Sequence, residues 1–383
     1  MSDLPESVEN ELKPLRAEID SIDKQLVELL NKRAQCAKKV GEVKGRVNAP
    51  VFRPERENVV IRNAAANNRG PIANEALSKI FREIMSACRS LEEKISVAYL
   101  GPKGTYSEMA MEKQFGSSVN GIACDRIDEI FRAVEAGTAA FGIVPMENST
   151  EGSVNRTLDC LLRTDLTIIG ECSIPIHHNL LTKSGTLDGV TRVYSHPQSL
   201  GQCVGWLNAN VPALERLTAS SNGEAARIAS EDEHAAAIAS DRAGVAYGLK
   251  VVQSHIQDDA CNRTRFVVLS RHGTLPSKAP AKDKTSLIIS MPNRAGSLYH
   301  CLAPLNAHKV SMTRFESRPA RNGAWDYYFY LDIEGHAKTP EIQAALDDLK
   351  NACAFYKFLG SYPFELTFTD SCAEEVCNGK DND

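Results

Sequence analysis

The apolar residues Leu12, Leu15, Ile19, Ile22, Leu26, Leu29, Cys36, Val40 and Val43 recur mostly at steps of three and four, with no proline after Pro14. That period predicts one long helix from Leu12 to about Lys44, roughly 50 Å at 1.5 Å per residue. A module of under a hundred residues cannot cover so long a stripe by itself, so the pattern implies a second copy of the chain, a homodimer. Pro50 and Pro54 end the run, and Pro54 suits the first turn of a second helix followed by the acids Glu55 and Glu57. After ANNRGP a third helix reads from Ile72 to Glu93, with Leu77, Ile80, Phe81, Ile84, Met85 and Leu91 inward. Residues 8–94 are thus expected to be an all-α module.

At Ile95 the helical period stops. ISVAYLGPKGTYSE is an apolar strand running into a glycine-rich loop, the way α/β units begin. Further strands are expected at Ala140–Val144, Thr167–Glu171, Arg192–Tyr194, Ala235–Ala239 and Arg265–Leu269, which makes 95–272 an α/β domain. GTLPSKAPAKDK has little apolar surface and reads as a linker over 273–284. Over 285–366, strands at Ser286–Met291, Ser311–Glu316, Trp325–Glu334 and near Phe364–Phe368 alternate with helices at Ser297–Ala307 and Pro340–Ala352. That order is a ferredoxin-like α+β unit. The polar tail 367–383 is expected to be disordered.

Length agrees with several domains, since 383 residues exceed the roughly 250–300 that one core supports. A net charge of −5 gives no reason to expect nucleic acid. No stretch approaches the roughly 20 apolar residues that span a membrane, and MSDLPESVENELKPLR lacks the apolar core of a signal peptide. Eleven cysteines without a C-x-x-C pair suit a reducing compartment, so a cytoplasmic protein is expected. No metal or cofactor is expected either: His177 and His178 are adjacent, and neighbours rarely point at one ion.

Candidate chemistry begins on the long helix. Arg33 and Lys44, eleven residues apart, fall within roughly 20° of one face, with Ala37 and Val40 between them. A solvated basic stripe would look the same. The neighbourhood is more specific: LRAEIDSIDKQLVELLNKR, then GEVK, then PERE, resembles the helical class of chorismate mutase over residues 8–93. The resemblance implies Arg16, Arg33 and Lys44 as active-site cations, Arg16 reaching in from the partner subunit. It implies Glu57 as acceptor of the substrate hydroxyl, Glu92 beside the ether oxygen, and Arg53 and Cys88 as further substrate contacts. Enteric relatives carry glutamine and serine where this chain has Glu92 and Cys88. The implied reaction, chorismate to prephenate, is an intramolecular rearrangement that needs orientation and charge stabilisation rather than an acid or nucleophile. Glu92 can donate to the ether oxygen only while protonated.

Four segments, GPKGTYSE at 101–108, VPMENSTEGSV at 144–154, YSHPQSLGQC at 194–203 and NRTRF at 262–266, together resemble prephenate dehydratase. That implies two α/β lobes around a cleft, similar to periplasmic binding proteins, with the second lobe at roughly 174–254. Thr264 matches the family's essential threonine, and Thr105, Asn148, Ser149, Ser195, His196 and Gln198 match positions lining prephenate. Glu147 reads equally as a proton source or as a loop holder. NRAGSLYHCLAPL and RFESRPARNGAWDYYFY resemble an ACT domain, which implies L-phenylalanine as effector near Gly296, Leu298, Glu316, Ser317, Arg318 and Pro319. Ala295 stands where the family carries proline, so an ACT-shaped dimerisation module stays open. Taken whole, the chain resembles the family in which these three units are fused in this order. Two alternatives remain: a mutase domain reduced to a scaffold, and a non-catalytic binder of aromatic acids.

Overall fold

A computed structural model describes residues 5–47, 50–278, 282–291, 294–320 and 327–365. The first module has α1 (Glu6–Gly45), α2 (Pro54–Asn67) and α3 (Asn74–Ser90). α1 starts earlier than the period predicts and runs through Pro14, and it buries no residue. Leu15, Ile19, Ile22, Leu26 and Leu29 are all about half exposed or more, so the stripe lies bare in the single chain. Ile80 and Leu91, expected inward on α3, are exposed as well. Met85 is buried as expected, and Ser78, Ser86, Cys88 and Arg89 are buried with it, because α3 docks on the next domain as well as on α2.

That next domain has two lobes. Its first sheet takes β1 (Ser96–Leu100), β2 (Asn120–Cys124), β3 (Phe141–Asn148), the short β4 (Gly152–Ser153) and β5 (Thr167–Pro175), with helices α4 (Tyr106–Phe115), α5 (Ile127–Glu135) and α6 (Asn155–Arg163) between them. The chain then crosses to β6 (Asn179–Thr182), β7 (Arg192–Ser195), α7 (Pro197–Gly201), α8 (Val204–Asn210), β8 (Glu215–Thr218), α9 (Asn222–Glu231), β9 (Ala235–Ala239), α10 (Asp241–Tyr247) and β10 (Lys250–Gln253). It returns as β11 (Arg263–Ser270), antiparallel between β3 and β5, so the first sheet runs β2-β1-β3-β11-β5 and the second β10-β6-β9-β7-β8. The two crossings form the hinge. Where the lobes touch, a Cβ on Gly104, at φ +79°, would sit 2.8 Å from the Ala243 backbone, so only glycine fits both the turn and the approach.

The last unit is β12 (Asp283–Ser290), α11 (Ser297–Ala307), β13 (Met312–Pro319), β14 (Tyr327–Glu334), α12 (Pro340–Ala352) and β15 (Phe355–Pro363), an antiparallel sheet β13-β14-β12-β15. The last described strand is Phe355–Pro363; of the strand expected near Phe364–Phe368 only Phe364 and Glu365 fall within the described residues, and they are not in a strand. The segment FYKFLGSYP pairs along the whole of β12, although its Gly and Pro argue against a strand, and residues from 366 onward, the tail included, lie outside the described residues. Gly360 explains its glycine: a Cβ there would fall 2.1 Å from the Ile168 carbonyl oxygen of β5. Ile168, Val267, Leu269, Ile288, Tyr330, Leu359 and Tyr362 share one core across the two domains. The expected linker is accordingly docked at both ends, with Thr274, Asp283 and Lys284 buried. Among the described residues no helix is long and apolar enough to cross a membrane.

Candidate active sites

On the helical module, α1 and α3 bring four of the predicted residues together. Arg33 Nη1 lies 3.0 Å from Cys88 Sγ, and Lys44 Nζ lies 3.9 Å from Glu92 Oε2 and 3.2 Å from the Val51 carbonyl. The small residue between the cations is Gly41 rather than Val40, which is exposed; a Cβ on Gly41 would meet Glu92 Cγ at 2.7 Å. Glu92 Oε2 is buried without a hydrogen bond, and burial raises the Glu92 pKa against the pull of Lys44 and Arg89. Glu57 accepts from Arg89 Nη1. Burial pushes the Glu57 carboxyl up too, opposed by Arg89, Arg82 and Lys44. Two predicted residues do not join the cluster. Arg16 stands on the exposed flank of α1, 2.6 Å from Glu9, about 25 Å along the helix from Arg33. Arg53 binds Glu55 at 2.7 Å and lines a cavity of about 800 Å³ with Arg271 and Lys338, at the junction of the three domains.

The dehydratase-like residues gather where the hinge strands end. Thr264 of β11 faces Asn148 of β3 in register, and Asn148 Nδ2 lies 2.9 Å from Thr264 Oγ1. Ser149 clasps Arg263 through both its N–H and its Oγ. Across the cleft, Ser195 Oγ donates to the Ile238 carbonyl at 2.8 Å, His196 Nδ1 caps α7 by accepting from the Gln198 N–H, and Gln198 is half-buried in that first turn. Burial lowers the His196 pKa. Thr105 caps α4: its Oγ1 accepts from Glu108 N and donates to the Leu100 carbonyl, so it shapes the loop that meets the second lobe.

Four cleft residues were missed in the sequence. Asn262 Oδ1 accepts from Asn148 Nδ2 (2.8 Å), Gln202 Oε1 accepts from Asn262 Nδ2 (3.0 Å), and His178 Nε2 meets the same Gln202 oxygen (2.9 Å), a chain that ties the lobes. Asn222 joins Ser195, His196 and Ser199. Asn262 and Gln202 stand inside the motifs NRTRF and YSHPQSLGQC, so their membership was the available signal. Glu147 is not directed to the cleft chemistry: Arg314 Nε (2.6 Å) and Arg265 Nη2 (3.2 Å) hold it.

The regulatory strand divides by alternation. Glu316 and Arg318 pair in register with Tyr330 and Tyr328 and reach the dehydratase domain, Glu316 bonding Ser153 and Arg318 bonding Asp159 at 2.7 Å. Ser317 and Pro319 pair with Phe329 and Tyr327 on the face that carries α11, whose cap Gly296 is left-handed at φ 80° and whose Leu298 is exposed. The six predicted effector residues therefore lie on two faces of one sheet.

Three units with these contents define a multidomain enzyme with a regulatory module. Residues 15–93 match the family "Chorismate mutase type II", 97–274 match "Prephenate dehydratase" and 285–351 match "ACT domain". The bifunctional chorismate mutase/prephenate dehydratase of Neisseria gonorrhoeae is 45% identical over 363 residues, covering 94% of this chain and 99% of that one. The same enzyme of Pseudomonas aeruginosa is 45% identical over 361 residues, covering 93% and 98%. The prephenate dehydratase of Arthrobacter aurescens in complex with L-Phe superposes with a TM-score of 0.65 at 30% identity, over 74% of this chain and 97% of that one. The chain belongs to the bifunctional chorismate mutase/prephenate dehydratase family.

Proposed function

We propose that the chain, as a cytoplasmic homodimer without cofactor, rearranges chorismate to prephenate on the helical module. It then converts prephenate to phenylpyruvate in the two-lobed cleft, under inhibition by L-phenylalanine. The observation that carries the reading is the Thr264–Asn148 contact, because the orientation of the Asn148 amide is fixed. Asn148 Oδ1 accepts from the N–H groups of Thr150 (3.0 Å) and Glu151 (3.1 Å), which can only donate, so Nδ2 must face Thr264. An amide nitrogen offers no lone pair. Thr264 Oγ1 therefore cannot donate to Asn148, and its hydrogen is left for a hydrogen bond to the departing C4 hydroxyl of prephenate. That hydroxyl leaves under the Thr264 hydrogen bond and takes up a proton from the medium to become water, while the ring carboxylate leaves as CO₂, its bonding pair entering the ring.

On the helical module Arg33 holds a substrate carboxylate and Lys44 the ether oxygen that turns negative as the C–O bond breaks. Arg16 comes from the partner subunit, whose α1 also covers the bare apolar stripe; the half-exposed leucines and isoleucines support that pairing. Phenylalanine occupies the α11 side of the regulatory sheet at Gly296, Leu298, Ser317 and Pro319, while Glu316 and Arg318 carry its effect to the dehydratase domain.

The test follows chorismate and prephenate separately. Thr264→Ala is expected to lower dehydratase turnover by roughly 10²-fold or more and to make prephenate accumulate from chorismate, with Thr264→Ser keeping a measurable part. Wild-type prephenate turnover by the alanine variant would remove the assignment.

A further inference from the structure

The mutase carboxylate Glu57 does not stand within its own module alone. Arg89 donates through Nη1 to Glu57 Oε1, which leaves Oε2 to accept, and through Nη2 to the carbonyl of Phe115. Phe115 is the last residue of α4 in the dehydratase domain. The last carbonyls of a helix lack partners inside it and form the negative end of its dipole, so a guanidinium is suited to that position. The Arg89 side chain is 7% exposed, and its plane lies over the Phe52 ring at 5.2 Å. The docking around it is continuous: Glu83 takes the N–H of Ser117, Ser86 Oγ takes the N–H of Ser118, and a Cβ on Gly116 would strike Ser86 at 2.5 Å. α4 thus begins at the cap Thr105, beside the cleft, and ends on the arginine that holds a mutase residue.

We propose that Arg89 is a positioning residue of the mutase reaction, fixing and neutralising Glu57 from an anchor that the dehydratase domain supplies. The proposal rests on Glu57 as the acceptor of the substrate hydroxyl. The charges that act on Glu57 are Arg89 and Arg82 from α3 and Lys44 from α1, which oppose burial, and Lys113 of α4, Glu171 and Cys172 of β5 and Glu365 line the same small pocket. Arg89 is the largest opposing influence. Removing it raises the Glu57 pKa further, and because the ionised form must accept the hydroxyl, mutase activity is then lost at higher pH as the medium is acidified.

The experiment uses the full chain and reads both activities across pH. Arg89→Leu is expected to lower mutase kcat/KM roughly tenfold at neutral pH, to move the acid limb of its profile upward, and to leave dehydratase turnover near wild type. Arg89→Lys keeps the charge and should return the acid limb toward its original position. Wild-type mutase kcat/KM with an unmoved limb in Arg89→Leu overturns the proposal. So does an equal fall in both activities, which would make Arg89 a packing residue; the dehydratase assay also reports whether the variant folds. Glu57→Gln separates the two levels. Mutase loss in Glu57→Gln without loss in Arg89→Leu refutes the role of Arg89, whereas wild-type turnover in Glu57→Gln refutes the role of Glu57 on which it stands.

Discussion

The two reaction sites are built on opposite plans. The dehydratase cleft is made inside one chain, its polar groups held by backbone and amide partners such as the Asn148, Asn262 and Gln202 series, each largely buried. The mutase cluster lies along a helix that buries nothing, with Arg16 far from Arg33 and the apolar stripe bare. Rearranging a single substrate needs cations at fixed separation, which a helix face provides. Breaking two bonds while excluding water needs a closing cleft. The difference teaches where each site is vulnerable: under the proposed pairing of subunits the mutase site is exposed to dissociation, the cleft to any shift between its lobes.

The sharpest way to break this comparison is complementation. Arg33→Ala and Arg16→Ala should each lower mutase turnover by roughly 10²-fold or more with dehydratase activity intact. Mixed chains should then recover about a quarter of the wild-type rate. Random exchange makes half the dimers mixed, and each mixed dimer holds one complete site of two. Failure to recover in a mixture known to exchange subunits would mean that Arg16 acts within its own chain.

What the sequence revealed follows the same division. The period of Leu15, Ile19, Ile22, Leu26 and Leu29 disclosed α1 and the stripe that the single chain leaves bare, because a helix keeps the period of its packing face whether or not that face is covered. The buried strands were legible as apolar runs, Ala235–Ala239 to the residue. β15 was not, since Gly360 exists for a contact with Ile168 that only tertiary packing reveals. Motif matching reached Thr264 and Asn148 but not His178, whose value depends on Gln202, 24 residues away. It also grouped Glu316 to Pro319 as one effector site, where strand alternation divides them between two faces.

That division supplies a smaller effect. Arg318→Ala removes the link to Asp159 without touching the α11 face, so phenylalanine binding measured by calorimetry should stay within about threefold, while inhibition of the dehydratase weakens by up to about tenfold, a coupling of ~1.4 kcal/mol. Proportionate loss of binding and inhibition would instead place Arg318 in the effector site.

The smallest effect concerns Glu92, where the two sites differ most in their use of protons. Burial raises its pKa, while Lys44 at 3.9 Å and Arg89 oppose. A protonated Glu92 donates to the ether oxygen; an ionised one repels the charge that develops there and competes for Lys44. The sign is therefore fixed: wild-type mutase activity is full below the raised pKa and declines as pH rises through it. Glu57 demands the reverse, ionised rather than protonated, so the active form carries Glu57 ionised and Glu92 protonated and the profile should be bell-shaped. Glu92→Gln puts a permanent donor in the same place. Its mutase rate at the wild-type optimum should stay within about threefold, since one neutral hydrogen bond replaces another, and the basic limb should flatten, leaving a profile governed by Glu57 alone. A basic limb unchanged in the glutamine variant would mean that Glu92 does not touch the ether oxygen. The dehydratase profile, which has no contact with Glu92, should be the same in both proteins.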